Sequence, residues 1–497
     1  MNDLRVFSII GLVIYFGVLL FVVLRDKSSE TSDDYFFAGR TLPFWALSIT
    51  FIASWWGAGS AISTADLAYL DGISAFWYYG APAILATFFM FLMSKAIRRS
   101  GSYTQGEIFK TRYNNLASLM LSVAIFLFMT ITAASQMVGI GDFFGTYLGL
   151  NYDFAIIVGT GIVFIYSLFG GFRGVVITDI IQFVILLISS IVIFGVAMTQ
   201  AGGFEGIKIA ANTANKVGYT SLFGGLGKYY VYIITFGAAW MIQANVWQRI
   251  SATKNELDAK KMTSLSLFVY GPLYLMSVLT GMSGLAIYKT LPKGGIVINI
   301  INDFLSPVIG SFIFIGITAA IMSTMDSLIN TGALTLTIDI YKAKINPNAN
   351  DKKLLTISKL STVIVTLIAL FFSLKVRSIL EVSWIASDII TTGIFVPLVL
   401  GFFWSRGNSN GAVASMVMGA IFCFYHYLIS IGLNLPIPWE RGSTNQVIAG
   451  IALSLIVYVT VSLLTKPEYE KAIKFMKDAG TYRDLKWIKI DKEKKAL

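Results

Sequence analysis

Ala53-Ser54-Trp55-Trp56-Gly57-Ala58-Gly59-Ser60 stands in the middle of an otherwise apolar stretch that runs from residue 43 to 71. Glycine gives up the most backbone freedom in a helix and serine offers the main chain competing hydrogen bonds, so two of each in one short run weaken the helix at its centre. A stretch of this length crosses the roughly 30 Å hydrocarbon core of a bilayer. There, the carbonyls and amides that a break sets free must find partners inside the protein or on something bound. Interrupted helices near the midplane are how secondary transporters hold ions and solutes. The same glycines also permit close helix packing, so the reading depends on what surrounds them.

The surroundings are membrane throughout. Hydrophobic residues make up 56% of the 497 and charged residues 13%, with mean hydropathy +0.72, well outside the range of soluble domains. Further apolar stretches lie near 4–24, 74–95, 117–142, 153–170, 174–200, 228–248, 263–289, 308–340, 355–375, 379–404, 411–432 and 446–465, which makes about 13 transmembrane helices. The N-terminal segment lacks a small-residue cleavage site and reads as a retained first helix. The formal net charge of +11 does not form one basic face; it lies between the spans, which argues for topology and against nucleic acid. With the N-terminus outside, 29 of the 38 Lys and Arg residues fall on the cytoplasmic side, Arg249 and ten residues from Lys466 onward included. That asymmetry orients the chain in a cell (inner) membrane with an external N-terminus, a cytoplasmic C-terminus and a charged tail over 466–497. One cysteine, Cys423, excludes a disulfide within the chain, and the lone His426 in an apolar run reads as a packed side chain.

A milder break is expected in the seventh span, around Gly237, Ala238, Ala239 and Trp240, followed by the polar residues Gln243, Asn245 and Gln248. It lies five spans after the first, so the two five-helix units begin in opposite orientations, as an inverted repeat requires. The organisation read from this is a transporter domain over 1–465: an extra helix at 4–24, a first repeat at 43–200, a second at 228–404 and two closing helices over 411–465.

Acidic residues inside apolar spans are costly and mark ion paths or paired sites. Asp179 opens the sixth span and Asp326 lies in the ninth, within Ala320-Ile321-Met322-Ser323-Thr324-Met325-Asp326-Ser327. Positions 320, 323, 324 and 327 share one helix face, where oxygens converge in the manner a hard cation prefers. Asp66 and Asp388 are placed nearer the interfaces. For the solute, the polar or aromatic residues near the breaks are Ser54, Trp55, Gly57, Gln136, Trp240, Gln243, Asn245 and Trp384. No Lys or Arg is expected at mid-membrane depth, which disfavours a sugar acid held by a guanidinium.

These segments resemble the sodium:solute symporter family. Asp33-Asp34-Tyr35-Phe36-Phe37-Ala38-Gly39-Arg40 is similar to its D-D-Y-x-x-G-G-R segment, with Ala38 where the family has its first glycine. Tyr103-Thr104, Glu107 and Arg112-Tyr113, then Gly170-Gly171-Phe172 with Thr178-Asp179 and Gln182, then Gln248-Arg249 and Ala320–Thr324 follow in family order. The resemblance implies an all-α polytopic protein with a LeuT-type 5+5 inverted repeat and discontinuous helices. It implies one Na+ on the carbonyls of Ala53, Trp56 and Ala320 and the hydroxyls of Ser323 and Thr324. A second sodium, or an exit path, would involve Asp179, Asp326 and Ser327, again with Ser323; the Asp at 326 stands where two-sodium members carry Ser.

The function expected is sodium-coupled symport of a small organic solute into the cell by alternating access, with an amino acid such as proline or a small amine as cargo. Alternatives are a choline/betaine-type or carboxylate/sugar symporter, or a sodium-independent facilitator. No enzyme is expected: one His and one Cys leave little for catalysis at depth, and the tail is too short for a catalytic signalling domain. The partners are the solute, sodium and the lipid bilayer, no nucleic acid, and the chain is expected to be a monomer or loose oligomer.

Overall fold

The computed structural model describes residues 3–25, 31–430, 433–436, 439 and 444–483, and every regular element among them is helical. Of the features read from sequence, the last two residues of the twelfth span and the tail beyond 483 lie outside the described residues. The first part of the tail forms the helix Tyr469–Asp478.

Nine helices among the described residues are long and apolar enough to cross a bilayer, and the pair Glu381–Gly393 and Phe395–Gly401, bent by 49°, makes a tenth. Breaks and joints hide the rest. Tyr152–Gln200 has 49 residues, which at 1.5 Å per residue is about 70 Å, over twice the hydrocarbon thickness. Its non-helical joint is Gly171, at φ 52° and ψ −162°, where the fifth span turns into the sixth. A Cβ there would lie 2.9 Å from the Tyr35 carbonyl and 2.8 Å from its ring, so glycine is needed for the backbone angle and for the space. The second and seventh spans are each split into two short helices. Counted by crossings, the chain is in keeping with about thirteen.

The second span runs as Phe44–Ala53, unwinds over 54–57, and resumes as a π-turn Gly59–Ser63 leading into Thr64–Asp71. The seventh runs as Leu226–Met241 and Ala244–Ser251. Its break falls at Ile242 and Gln243, not at Gly237–Trp240 as expected from sequence. Alanine is the best helix former and Gly237 faces open packing, with Leu85 3.5 Å from where its Cβ would stand, so that segment stays helical. The third span begins at Gly80, later than expected, because 72–77 form a tight 3-10 turn after Gly72, at φ 72°.

The ninth span, Pro307–Leu334, is the axis of the bundle, and every residue from Gly316 to Leu334 is buried. The Asp33–Arg40 segment folds into a short helix and a turn in which Ala38, Gly39 and Arg40 are all left-handed, at φ 49°, 56° and 55°. The family's glycine at position 38 thus has a conformational reason, which Ala38 meets at a cost of roughly 1–2 kcal/mol.

Candidate functional site

The unwound turn of the second span packs against the middle of the ninth. The Ser323 and Thr324 hydroxyls donate to the Ala53 carbonyl at 3.2 and 2.9 Å, and to the Ala320 carbonyl at 3.0 and 3.3 Å. Two carbonyls and two hydroxyls therefore meet across two spans, all buried, with the Trp56 carbonyl in the same unwound turn. A hydroxyl that donates to a carbonyl can turn its hydrogen aside and present a lone pair beside it, which gives an all-oxygen set suited to a hard cation. The resumed helix is capped from the fourth span: the Ala58 amide donates to Gln136 Oε1 at 3.0 Å. Gly57 is the point of closest approach, since a Cβ there would collide with Gln136 Oε1 and lie 2.9 Å from Thr324 Oγ1.

Two turns of polar contacts continue from this point toward the N-terminal end of the second span. Ser54, read from sequence as part of the solute wall, donates to the Thr50 carbonyl at 2.6 Å and to Ser327 Oγ at 3.1 Å, which ties it to the ninth span. Thr50 donates to the Asp179 carboxylate. Asp326 accepts from the Tyr166 hydroxyl at 2.8 Å. The other carboxylate oxygens of Asp179 and Asp326 are buried with no hydrogen-bond partner among the described residues.

Arg249 joins this cluster. Its guanidinium donates to Ser327 Oγ at 2.6 Å, to Thr50 Oγ1 at 3.2 Å and to the Asn245 carbonyl at 2.8 Å, and stands 3.8 Å from Asp179. It is fully buried and lies over the Phe172 ring, 5.4 Å from its centroid. This corrects the expectation that no cation reaches the interior. Counting Arg249 on the cytoplasmic side by its place in the chain overlooks a side chain that folds back along its own helix toward an acid. Three formal charges thus sit together out of water, where a lone charge costs about 3 kcal/mol on an insertion scale. Asp66 and Asp388, the weaker candidates, are held in caps and ties: Asp66 accepts from the Ile296 amide at 2.8 Å and Asp388 from Gln446 Nε2 at 2.9 Å. His426 is buried against the Phe422 ring, with centroids 4.4 Å apart.

On the other side of the break lies a cluster of rings. Trp55 is 5.6 Å from Trp240 and 5.8 Å from Tyr270, and Trp240 is 5.0 Å from Tyr79 and 5.3 Å from Phe236. Trp384 joins through Phe236 at 5.7 Å. The indole nitrogens of Trp55 and Trp384, the Gln243 carbonyl oxygen and both polar atoms of the Asn245 side chain are buried without partners among the described residues. Of the solute-wall candidates, Trp55, Trp240 and Trp384 come together, Gln136 and Gly57 meet at the cap, and Gln243 and Asn245 flank the second break. Thr50, Tyr79, Tyr166, Arg249 and Tyr270 were missed. Thr50 was readable as the residue one turn before Ser54 on the same face; the tyrosines carried no signal beyond composition.

Two clefts in the bundle differ in size. One, a cavity of about 500 Å³, is lined by Ser63, Asp66, Gly139, Asp142, Thr146 and Ser378, among others. Its floor is Gly139, whose Cβ would touch Ala58. The other, between Thr104, Gln248 and Thr331, has about 10 Å³, room for at most one water. It is tied shut by Gln248 donating to the Phe36 carbonyl at 2.8 Å, Gln105 to the Ile242 carbonyl at 2.8 Å, and Thr104 to Asp339 at 2.5 Å.

Paired broken spans and an oxygen-rich contact between the second and ninth spans are the features of a secondary transporter of the LeuT-type fold. The sodium:solute symporter family matches residues 35–419, and the chain belongs to that family. It is 27% identical over 476 residues to the osmoregulated proline transporter OpuE of Bacillus subtilis, covering 92% of this chain and 95% of the relative. Similarity to the sodium/glucose cotransporter of Vibrio parahaemolyticus is 25%, over 93% and 90% of the two chains. Among solved structures, a Na+-coupled sialic acid symporter in a substrate-bound outward-open state superposes with TM-score 0.77 at 20% identity, covering 94% of this chain and 99% of that one. As a member of that family the protein is a multi-pass membrane transporter, not an enzyme, that couples sodium to the symport of a small solute.

Proposed function

We propose that the chain carries a small amine-bearing solute, an amino acid such as proline, into the cell with sodium by alternating access. Sodium takes the carbonyls of Ala53, Trp56 and Ala320 and the hydroxyls of Ser323 and Thr324. The observation that carries this reading is that both hydroxyls of the ninth span already point at the Ala53 carbonyl across the break. A cation there knits the second span to the ninth and completes the solute site beside it, so sodium binding selects the solute-competent state. Asp179, Asp326 and Ser327 form the ion's way out. The proline relatives support the amino-acid cargo, and the sodium/glucose and sialic acid relatives mark the breadth of solutes on this framework.

The face carrying Arg98, Arg99 and the closed cleft is cytoplasmic on the positive-inside rule, which puts the 500 Å³ vestibule outside and the N-terminus external, in the cell (inner) membrane. One charge crossing about 100 mV supplies roughly 2.3 kcal/mol and a tenfold sodium gradient about 1.4 kcal/mol more, enough for roughly a few-hundred-fold accumulation of a neutral solute.

The test is uptake by proteoliposomes of labelled proline, other amino acids, choline, betaine and glucose, with and without an inward sodium gradient. Uptake that ignores the gradient would sink the coupling. Ser323→Ala and Thr324→Ala are each expected to raise the sodium concentration for half-maximal uptake by about tenfold, the value of one lost charge-assisted ligand of about 1.4 kcal/mol. Unchanged sodium dependence in both variants would remove the site while leaving the fold in place.

A further inference from the structure

Where the third span ends, a cavity of about 710 Å³ opens between Leu92, Lys95 and Arg99 of that span, Phe403 just past the eleventh, and Met476, Tyr482 and Arg483 of the tail. Leu92, Lys95, Ala96 and Arg99 fall at i, i+3, i+4 and i+7 of the helix Gly80–Arg99, so they share one face. The leucine lies deeper in the span and the two cations stand at its end. Leu92 is 62% exposed and Phe403 51%, so the cavity has an apolar side at the level where the spans stop. The tail is fastened over it: Thr481 donates to the Phe402 carbonyl at 2.6 Å, and the Phe475 ring stands 5.1 Å from that of Phe402. Gly480 ends the tail helix at φ 70°, and a Cβ there would lie 2.3 Å from Arg99 Nη1, so the backbone passes directly over that guanidinium. Glu256 holds the same group through Nε at 2.6 Å.

Three cations thus converge on a cavity that no acid lines among the described residues. Arg98, the neighbour of Arg99, is spent on the Thr253 and Lys254 carbonyls at 2.7 and 3.2 Å. Lys95 and Arg483 make no hydrogen bond or ion pair with any described residue. Like charges one helical turn apart repel, and an anion placed between them turns that repulsion into attraction. The sequence beyond Arg483 carries five Lys against three acids, so the rest of the tail brings no net negative charge. A small soluble anion would meet the cations and leave Leu92 and Phe403 bare. A phospholipid with an anionic headgroup meets both, because its phosphate lies at the depth where spans end and its acyl chains run back along them.

We infer that this cavity is a binding site for an anionic phospholipid, with the headgroup phosphate among Lys95, Arg99 and Arg483 and the acyl chains along Leu92 and Phe403. The site joins the third span, the end of the eleventh and the tail, so a lipid seated in it fastens the tail to the transporter. Its leaflet follows from the orientation proposed above; the site itself stands whichever way the chain lies.

The experiment uses the full chain in maltoside micelles at constant salt and follows its thermal midpoint against added dioleoyl phosphatidylglycerol, dioleoyl phosphatidylcholine and sn-glycerol 3-phosphate. Phosphatidylglycerol is expected to raise the midpoint saturably, at a half-saturating mole fraction about tenfold or more below that of phosphatidylcholine. Lys95→Gln combined with Arg483→Gln should raise that mole fraction about thirtyfold. Lys352→Gln combined with Lys353→Gln, the same charge change at the start of the tenth span, should leave it within about twofold. Leu92→Ala, which trims the apolar side, should raise it about fivefold. An equal response to the two lipids overturns the inference, and so do equal losses in the two charge pairs, which would reduce it to general surface charge. Saturation by glycerol 3-phosphate at the concentrations that serve for phosphatidylglycerol would put a soluble anion in the cavity and overturn the lipid. Should the Lys95 and Arg483 variant fail to fold, the wild-type comparison of the two lipids and Leu92→Ala decide.

Discussion

The second and seventh spans are both broken near their centres, and the two breaks are finished in different ways. In the second, the freed groups are met by the protein itself: Ser323 and Thr324 on the Ala53 carbonyl, Gln136 on the Ala58 amide. In the seventh, the interruption is two residues long and its polar side chains, Gln243 and Asn245, keep atoms with no partner among the described residues. Fixed oxygens suit an ion, whose geometry is always the same. Unspent donors and acceptors suit a solute that brings its own. On the proposed reading, one break organises the coupling ion and the other leaves room for chemistry to vary, in keeping with curated relatives named for proline and for glucose.

The contact between the breaks is the first place to strike. Arg249, from the seventh span, is buried against Thr50, Ser327 and Asp179, so Arg249→Met leaves uncompensated carboxylates in the interior. A loss of about 3–5 kcal/mol is expected, with uptake abolished. Adding Asp179→Asn should restore more than half of the lost thermal stability. A single variant as stable as the parent would show that the seventh span is not anchored to the second through this side chain.

A smaller effect separates the breaks by their tightness. Gly57→Ala drives a methyl into Gln136 and Thr324, whereas Gly237→Ala meets only Leu85, at ordinary contact distance. Uptake should fall by more than about tenfold in the first, consistent with overpacking costs of about 1–3 kcal/mol, and stay within about twofold in the second. Equal losses in both would erase the distinction.

The smallest contrast is between the two glutamines. Gln136→Leu strands the Ala58 amide and should cost about 1–3 kcal/mol in a thermal or denaturant titration. Gln243→Leu removes an oxygen that has no hydrogen-bond partner among the described residues and should change stability by under about 0.5 kcal/mol while weakening solute affinity. If Gln243→Leu destabilises as much as Gln136→Leu, that atom has a structural partner and the seventh break is no more open than the second.

Much of the second break was legible because its causes are local. Glycine and serine in one turn weaken a helix wherever they occur, and the i, i+3, i+4 spacing of Ala320, Ser323 and Thr324 fixes their common face. The seventh break was displaced by several residues because one glycine, Gly237, marks the segment as weak, yet Ala238 and Ala239 favour the helix and the chain yields at Ile242 and Gln243. Arg249 was misplaced for a related reason: charge counting assigns a residue by its position along the chain, and a long side chain can carry its charge back inside when an acid awaits it. The ring cluster gathers residues from four spans and the turn before the third, an assembly that no window along the sequence contains.

The three ties across the 10 Å³ cleft, Gln248 to Phe36, Gln105 to Ile242 and Thr104 to Asp339, have a bearing on waste. At about 1 kcal/mol each they weigh against opening of this cleft by about 3 kcal/mol, a factor on the order of a hundred in the opening equilibrium. In a carrier loaded with sodium but no solute, that factor slows the uncoupled passage of the ion. A transporter that spends a sodium gradient is thus guarded in part by three side-chain hydrogen bonds.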